Sequence, residues 1–156
     1  SVLKDGPHTV SVNAADNDGN NAAGKSTSFT VDTVAPILNV TSPTDGLITN
    51  NASVTVAGTT NDATSSPVSV TIRLNGTDQG AVTVGSGGAF SKAVTLAEGA
   101  NTIIVTSTDQ AGKSSSVTIR VTLDTSVPVI KSATITPNPV DAGATMVISV
   151  VIAEGS

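Results

Sequence analysis

The chain alternates aliphatic and polar residues over several short runs, as strands do when they bury one face of a β-sheet. The clearest run is VSVTIRL at 68–74, in which every second residue is aliphatic. Residues 53–58 and 117–123 alternate in the same way. With weaker runs they predict seven strands, at about 37–41, 53–59, 67–74, 80–84, 90–96, 101–107 and 114–123.

Turn signals separate these runs. Asn75-Gly76 directly follows a strand, and both residues tolerate the positive φ that a two-residue hairpin requires. Further signals stand at Asp45-Gly46, Gly85–Gly88, Glu98-Gly99 and Asp109–Gly112. The chain is rich in Val, Thr and Ser, and only 12% of its residues are charged, about half the usual share. Pattern and composition together predict an all-β protein.

The sequence repeats itself once. LKDGPHTVSVNAADNDGN at 3–20 aligns with LAEGANTIIVTSTDQAGK at 96–113, and VDTVAP at 31–36 aligns with LDTSVP at 123–128. The repeat length is therefore 92–93 residues. One small β-sandwich has about this length, roughly 100 residues.

The repeat predicts the domain organisation. Residues 34–127 form a complete seven-stranded domain, 1–33 hold the last two strands of a preceding domain, and 128–156 hold the first two of a following one. Both junctions contain a Pro that ends strand pairing and no Gly, so we expect a stiff, end-to-end rod. The run MVISVVIA at 146–153 is apolar on both faces and needs cover, from a continuing chain or from another subunit.

Composition argues against several classes of partner. The net charge is −5 and the seven Lys and Arg form no cluster, so we expect no nucleic-acid binding. Two Phe, without Trp or Tyr, leave no aromatic platform for single-stranded nucleic acid or for sugars. No apolar run approaches the roughly 20 residues of a membrane helix, so no membrane insertion is expected. Without Cys there is no disulfide and no thiolate site.

No catalytic group is indicated, and we expect a protein that is not an enzyme. His8 is the single His, it lies at a turn, and its counterpart in the complete repeat is Asn101. Because the intact copy lacks this His, it is expected to cap a turn or lie on the surface rather than act as a base.

Four motifs carry a family resemblance. The DTxxP junctions at 32–36 and 124–128, the LNG turn at 74–76, the EGxN segment at 98–101 and the DxxG segment at 109–112 resemble bacterial Ig-like repeats. Such repeats stack in tandem in large secreted and surface proteins, including biofilm adhesins. The resemblance implies tandem Ig-like sandwiches, neighbouring Ig-like domains as partners, and an extracellular or cell-surface location. Residues 132–154 also resemble Ig-like domains of phage tail proteins, which implies a virion exterior as the alternative.

The Ig-like topology predicts where carboxylates meet. Asp32 ends the first partial domain, beside the loops of the complete domain that contain Asp62 and Asp109, with Asp5 nearby. Calcium takes about six to eight oxygen ligands, and carboxylates suit it. The resemblance to adhesin repeats also implies calcium at DTxxP junctions. We therefore expect Ca²⁺ at this junction and no other cofactor.

The second junction offers Asp124 with Glu98 and Asp45. The alternative at both junctions is that Asp32 and Asp124 only accept hydrogen bonds from local backbone before the Pro.

Three other motifs have local interpretations. DNDGN at 16–20 begins like a calcium loop but lacks the distal Glu of an EF-hand, so Asp16 is expected to cap backbone N–H groups in a tight turn. The N-x-[ST] sequons at Asn39, Asn51 and Asn75 are expected by coincidence in a Thr-rich chain. A Lys–Asn crosslink is not expected, since no aromatic shell would bury the Lys.

The sequence thus predicts a structural spacer module of an extracellular bacterial surface or adhesin-type protein. Two alternatives stay open. One is a subunit of an extracellular filament or phage tail, in which neighbouring chains complete the partial domains by strand addition. The other is an accessory module of a secreted polysaccharide-active enzyme.

Overall fold

The computed structural model describes residues 2–62 and 64–155, and β-strands make up the regular structure of these residues. The strands are β1 Gly6–Val12, β2 Lys25–Val31, β3 Ile37–Ser42, β4 Leu47–Thr49, β5 Ser53–Asn61, β6 Ser69–Leu74, β7 Thr77–Asp78, β8 Ala89–Thr95, β9 Gly99–Thr108, β10 Ser114–Leu123, β11 Val129–Thr136 and β12 Val147–Ala153. No helix in the described part of the chain is long and apolar enough to cross a membrane. The chain divides into two compact units, Ser1–Leu123 and Asp124–Ser156.

The first unit contains two sheets and a separate hairpin. One sheet has the strand order β4-β10-β9-β6-β7, the other has the order β3-β5-β8, and β1 and β2 pair with each other. All these pairs are antiparallel except β4 with β10, which is parallel. The all-β prediction is confirmed.

The core lies between the two sheets, and the period-two pattern selects its members. Val70, Ile72 and Leu74 of β6 are buried, while Ser69, Thr71 and Arg73 between them are exposed. The other buried apolar residues are Val56, Phe90, Val94, Leu96, Ile103, Val105, Ile119, Val121 and Leu123. A core built almost entirely of β-branched and Leu side chains explains how the domain folds with two Phe and no other aromatic residue.

One predicted strand is wrong, and two short strands, β4 and β7, were not predicted. Residues 80–84 form no strand; Val84 makes a single bridge to Phe90, and the strand after the Asn75-Gly76 turn is the two-residue β7. The reason is local, because the Asp78 carboxylate accepts the N–H of Gly80 at 2.6 Å and Gly80 has φ +79°, which turns the chain away from β6.

The second strand that the alternation did not reveal is β4, which has three residues and pairs with β10. The Asp45-Gly46 turn places it there: Asp45 Oδ1 accepts the Arg120 N–H at 2.7 Å, and the Gly46 N–H donates to the Arg120 carbonyl at 2.8 Å. A three-residue edge strand is too short to show a period in the sequence.

The β1–β2 hairpin repeats the geometry of β9–β10. His8 Nε2 donates to the Lys4 carbonyl at 2.7 Å, and the matching Asn101 Nδ2 donates to the Ala97 carbonyl at 2.7 Å. The His8 ring also stacks on Phe29, with 5.5 Å between ring centroids. His8 therefore caps a turn, as expected from its counterpart.

The second unit consists of the antiparallel β11–β12 hairpin and its connections. The pairing contains a bulge between Ile130 and Ser132. The large aliphatic residues of β12, from Val147 to Ile152, are all exposed within this unit.

Candidate metal centre

Three aspartates of the first unit converge at one end of the sandwich. Each of Asp32, Asp62 and Asp109 offers one carboxylate oxygen, and these oxygens all lie within 4.8 Å of one another. Asp32 directly follows β2, Asp62 follows β5 and Asp109 follows β9, so the ends of three strands bring them together. Asp62 and Asp109 are only 8% and 7% exposed, and Asp32 is half-buried.

Backbone N–H groups hold each carboxylate by one oxygen. Asp62 Oδ1 accepts the N–H groups of Thr64 at 2.8 Å and Ser65 at 2.7 Å. Asp109 Oδ1 accepts the Lys113 N–H at 2.9 Å, and Asp32 Oδ1 accepts the Val34 N–H at 3.0 Å. These bonds fix the orientation of the carboxylates and leave the second oxygen available.

The second carboxylate oxygens of Asp32 and Asp109 indicate that a ligand binds here. Asp32 Oδ2 and Asp109 Oδ2 are buried and have no hydrogen-bond partner. A buried carboxylate oxygen without a partner is costly, and three carboxylates this close repel one another. A cation between them would satisfy the oxygens and neutralise the repulsion. Hard oxygen donors of this kind fit Ca²⁺, with the remaining positions filled by carbonyl oxygens or water.

The loops around the group support one another. The Ala111 N–H donates to Ser65 Oγ at 3.0 Å, which joins the loop after β9 to the loop after β5. Ser115 Oγ donates to the Pro36 carbonyl at 2.6 Å, which holds the segment after Asp32 against β10. The three carboxylates are therefore positioned by the fold before any ligand binds.

The other predicted ligands are outside this group of three, and Asp124, Glu98 and Asp45 were expected at the second junction instead. The Asp5 carboxylate accepts Thr33 Oγ1 at 3.0 and 2.9 Å and is not part of the group. Glu98 and Asp45 belong to the first unit and Asp124 to the second. Across residues 2–62 and 64–155, Asp32, Asp62 and Asp109 form the one grouping of three potential metal ligands.

Local turns account for part of the junction geometry. Asp124 Oδ1 accepts the Ser126 N–H at 3.0 Å, as Asp32 accepts that of Val34. The Ser126 hydroxyl also donates to Asp124, and this bond holds the pKa of Asp124 below its usual value. The backbone-capping interpretation therefore describes one oxygen of each carboxylate, and the buried second oxygen of Asp32 remains unexplained by it.

Sequence reasoning missed a polar centre at the opposite end of the domain. Asn101 is 2% exposed and its amide accepts from the Ala97 N–H and from Asn75 Nδ2, each at 3.0 Å. It also donates to the carbonyls of Ala97 and Gly99. The EGxN motif contains this residue, but only the structure shows that its amide closes the turn.

A groove of about 780 Å³ lies beside β5, lined by Ile37, Thr59, Thr60, Asn61, Ser66, Pro67, Val68 and Val84–Gly88. None of these residues titrates near neutral pH, so the groove offers no acid or base for catalysis.

Comparison with known proteins places the chain in a family. The sequence model of "Glucodextranase, domain B" matches residues 36–125, which is more than half of the 156 residues. The chain belongs to this family. The matched region runs from Pro36 to the second junction and contains β3–β10 with Asp62 and Asp109. No curated protein matches the sequence.

Two solved structures share the fold of this family member. The fibronectin(III)-like modules of CbhA from Clostridium thermocellum are 16% identical with a TM-score of 0.50, over 78% of this chain and 64% of theirs. A tetra-tandem repeat from the extending region of a large adhesion protein is 22% identical with a TM-score of 0.50, over 98% of this chain and 49% of its own. The chain thus spans less than two thirds of either. The predicted Ig-like sandwich class is confirmed.

Proposed function

We propose that the chain is a non-enzymatic structural module of an extracellular or surface protein, in which Ca²⁺ bound by Asp32, Asp62 and Asp109 stiffens the junction between successive sandwiches. The buried, unpartnered Oδ2 atoms of Asp32 and Asp109 carry this proposal. They support a cation because Ca²⁺ binds several carboxylate oxygens at once.

The positions of the three residues suggest the mechanical consequence. Asp32 belongs to the segment between β2 and β3, whereas Asp62 and Asp109 belong to loops of the sandwich that follows. A shared ion would tie the connecting segment to the sandwich at two further points and remove rotational freedom from it. A module of this kind suits a tandem array, and the large adhesion protein is an example of such an array among the solved structures.

Thermal unfolding with and without calcium tests the proposal. At a Ca²⁺ concentration of about 100 times Kd, binding stabilises the folded state by about 2.7 kcal/mol. For a chain of this size we expect Tm to rise by about 5–10 °C over the value in EGTA. Asp109→Asn should remove this calcium-dependent rise, because replacing the carboxylate with an amide removes the negative charge and one of the two acceptor oxygens.

Asp78→Asn is the matched control, since Asp78 is exposed and caps the Gly80 N–H in a similar turn. This variant should keep the full calcium response. Mg²⁺ should stabilise the wild type less, because it demands a smaller octahedral site and dehydrates reluctantly. Equal Tm values in calcium and in EGTA for the wild type would refute the metal site.

A second candidate function follows from the family itself. The matching model is named for a domain of glucodextranase, so an accessory module beside a polysaccharide-active domain is the alternative. The chain has no Trp or Tyr for a sugar platform. Affinity electrophoresis in gels that contain dextran would distinguish the two: retarded migration favours the accessory role, and unchanged migration favours the spacer.

A further inference from the structure

The chain contains one Asn-Gly pair, Asn75-Gly76, and this pair forms the turn between β6 and β7. Asn75 has φ +51° and Gly76 has φ +83°, as the two central residues of a type I′ hairpin turn do. A Cβ at Gly76 would meet no atom within 4 Å, so the turn is open to water on that side. Because glycine has no Cβ, its backbone nitrogen is the least hindered in an attack on a preceding side-chain amide. The pair is therefore a potential site of deamidation.

Deamidation at this pair requires no reactant besides water. The backbone nitrogen of Gly76 attacks Cγ of Asn75, and the side-chain nitrogen takes up a proton and leaves as ammonia. Water then opens the resulting succinimide ring at one of its two C–N bonds. One opening gives Asp, and the other gives isoaspartate, in which the main chain runs through the former side-chain carbonyl. Neither product returns to Asn, so the change is permanent.

The folded hairpin restrains the Asn75 side chain at both ends of its amide. Asn75 Oδ1 accepts the Thr102 N–H of β9 at 2.8 Å, and Asn75 Nδ2 donates to Asn101 Oδ1 at 3.0 Å. The backbone N–H of Asn75 also donates to the Thr102 carbonyl at 2.9 Å. An amide held in this way resists the rotation, and the change from planar to tetrahedral carbon, that the attack requires.

The neighbouring Asn101 makes position 75 require a hydrogen-bond donor. Backbone groups fix the Asn101 amide: its Oδ1 accepts the Ala97 N–H, and its Nδ2 donates to the carbonyls of Ala97 and Gly99. Asn101 is buried, so rotation away from these partners is costly. Its Oδ1 therefore stays directed at position 75. An Asp there would place two acceptor oxygens against each other, because an ionised carboxylate has no proton to donate.

We propose that Asn75 is a deamidation site that the folded hairpin keeps unreactive, and that deamidation, once the turn opens, permanently weakens the domain. The carboxylate that forms loses the hydrogen bond to Asn101 and adds a negative charge beside a buried carbonyl oxygen. Isoaspartate also lengthens the main chain of a turn whose two-residue length sets the strand register. All the contacts involved lie within the complete domain, and none of them depends on calcium.

Peptide mapping by mass spectrometry tests the protection. The wild-type chain is incubated at mildly alkaline pH, either folded or unfolded in urea, and Asp and isoaspartate at position 75 are measured over time. Because two side-chain hydrogen bonds restrain the amide, the folded chain should react at least about tenfold more slowly than the unfolded chain. Equal rates in the two states would overturn the proposal.

Two variants separate the contact with Asn101 from the general stability of the domain. Asn101→Ala removes the partner of Asn75 Nδ2 and should accelerate deamidation of the folded chain by about 3–10-fold. Phe90→Ala removes a buried side chain of β8 in the other sheet, so it also destabilises the domain, yet it should keep close to the wild-type rate. Circular dichroism verifies that both variants are folded during incubation. Equal acceleration in both, or in neither, would overturn the restraint assigned to Asn101.

Asn75→Asp reproduces one product and tests the consequence even if Asn101→Ala does not fold. Its folding equilibrium constant, from urea unfolding at neutral pH, should fall at least about tenfold below that of the wild type. In the Asn101→Ala background the same substitution should cost less than about threefold, because the opposing oxygen is gone. An Asn75→Asp variant as stable as the wild type would overturn the proposed weakening, and so would an equal cost in the two backgrounds.

Discussion

At the residue scale, buried amides and carboxylates define this domain as much as its aliphatic core does. Asn101 at one end and Asp62 with Asp109 at the other are each less than 9% exposed. Asn101 uses both its carbonyl and its amino group within the turn between Ala97 and Gly99. Such a group stabilises only while all its partners remain, because an unpaired buried polar atom costs more than a hydrogen bond contributes.

Asn101→Ala should therefore lower the free energy of unfolding by about 2–4 kcal/mol, since it empties a buried position and leaves the Ala97 and Gly99 carbonyls and the Asn75 amide without this partner. Urea unfolding measures this as a lower midpoint at unchanged slope. Asn51→Ala is the matched control: Asn51 is exposed and caps the Ser53 N–H at 2.9 Å, so its loss should cost about 0.5 kcal/mol. Equal costs for the two variants would contradict the role assigned to Asn101.

The turn at 16–20 should respond to acid. The Asn20 side-chain amide and the backbone N–H groups around it hold the pKa of Asp16 below its usual value of 3.8. Because this pKa is depressed by folding, the stabilisation is complete above pH 3.8 and is lost as pH falls through the lower, folded-state value. An NMR titration of the Asn20 amide, which donates to Asp16 Oδ2 at 2.8 Å, should show a midpoint below pH 3.8.

Asp16→Asn supplies the control for this titration. The amide keeps an acceptor for the backbone N–H groups but does not titrate, so the Asn20 signal should become independent of pH in this range. A persistent transition in the variant would assign the titration to another group.

At the scale of elements, the sequence predicts strands where the alternation is long and fails where hydrogen bonds decide. The alternation of β6 predicted its buried face correctly, because one face of the strand packs into the core and the other faces solvent. Residues 80–84 also look like a strand, yet a turn closed by Asp78 diverts them. The grouping of Asp32, Asp62 and Asp109 follows from topology. The hydrogen bond from Thr33 to Asp5 depends on side-chain geometry, which the sequence pattern does not reveal.

The loop before β8 offers a test at this scale. Gly88 has φ +76°, and a Cβ there would overlap the Thr60 carbonyl oxygen. The Thr60 N–H donates to the Gly88 carbonyl at 2.8 Å, and Thr60 Oγ1 lies 2.5 Å from Ser107 Oγ inside the core. Gly88→Ala should cost about 2–4 kcal/mol by backbone strain and overlap together.

Gly87→Ala is the adjacent control, since a Cβ at Gly87 would meet no atom within 4 Å and Gly87 does not have a positive φ. Its free energy of unfolding, measured in urea, should change by less than about 0.5 kcal/mol. If both substitutions cost the same, the loop is free to rearrange and its contact with Thr60 does not constrain it.

At the scale of the whole molecule, stability is concentrated in one sandwich. β9 lies between β10 and β6 and buries Asn101, Ile103, Val105 and Ser107, whereas β12 pairs on one side only and buries none of its large aliphatic residues. A two-stranded hairpin without a covered face is marginal in water. Local opening should therefore expose β11–β12 far more often than it exposes β9.

Hydrogen exchange at low protein concentration measures this difference directly. Amides of β9 should exchange only through global unfolding, and those of β11–β12 should exchange through local opening at much higher rates. Ile72→Ala removes a fully buried side chain and should reduce global stability by about 2–5 kcal/mol. It should accelerate exchange in β9 and leave β11–β12 unchanged, because β11–β12 belongs to the other unit. Equal protection of β9 and β12 would contradict this distribution.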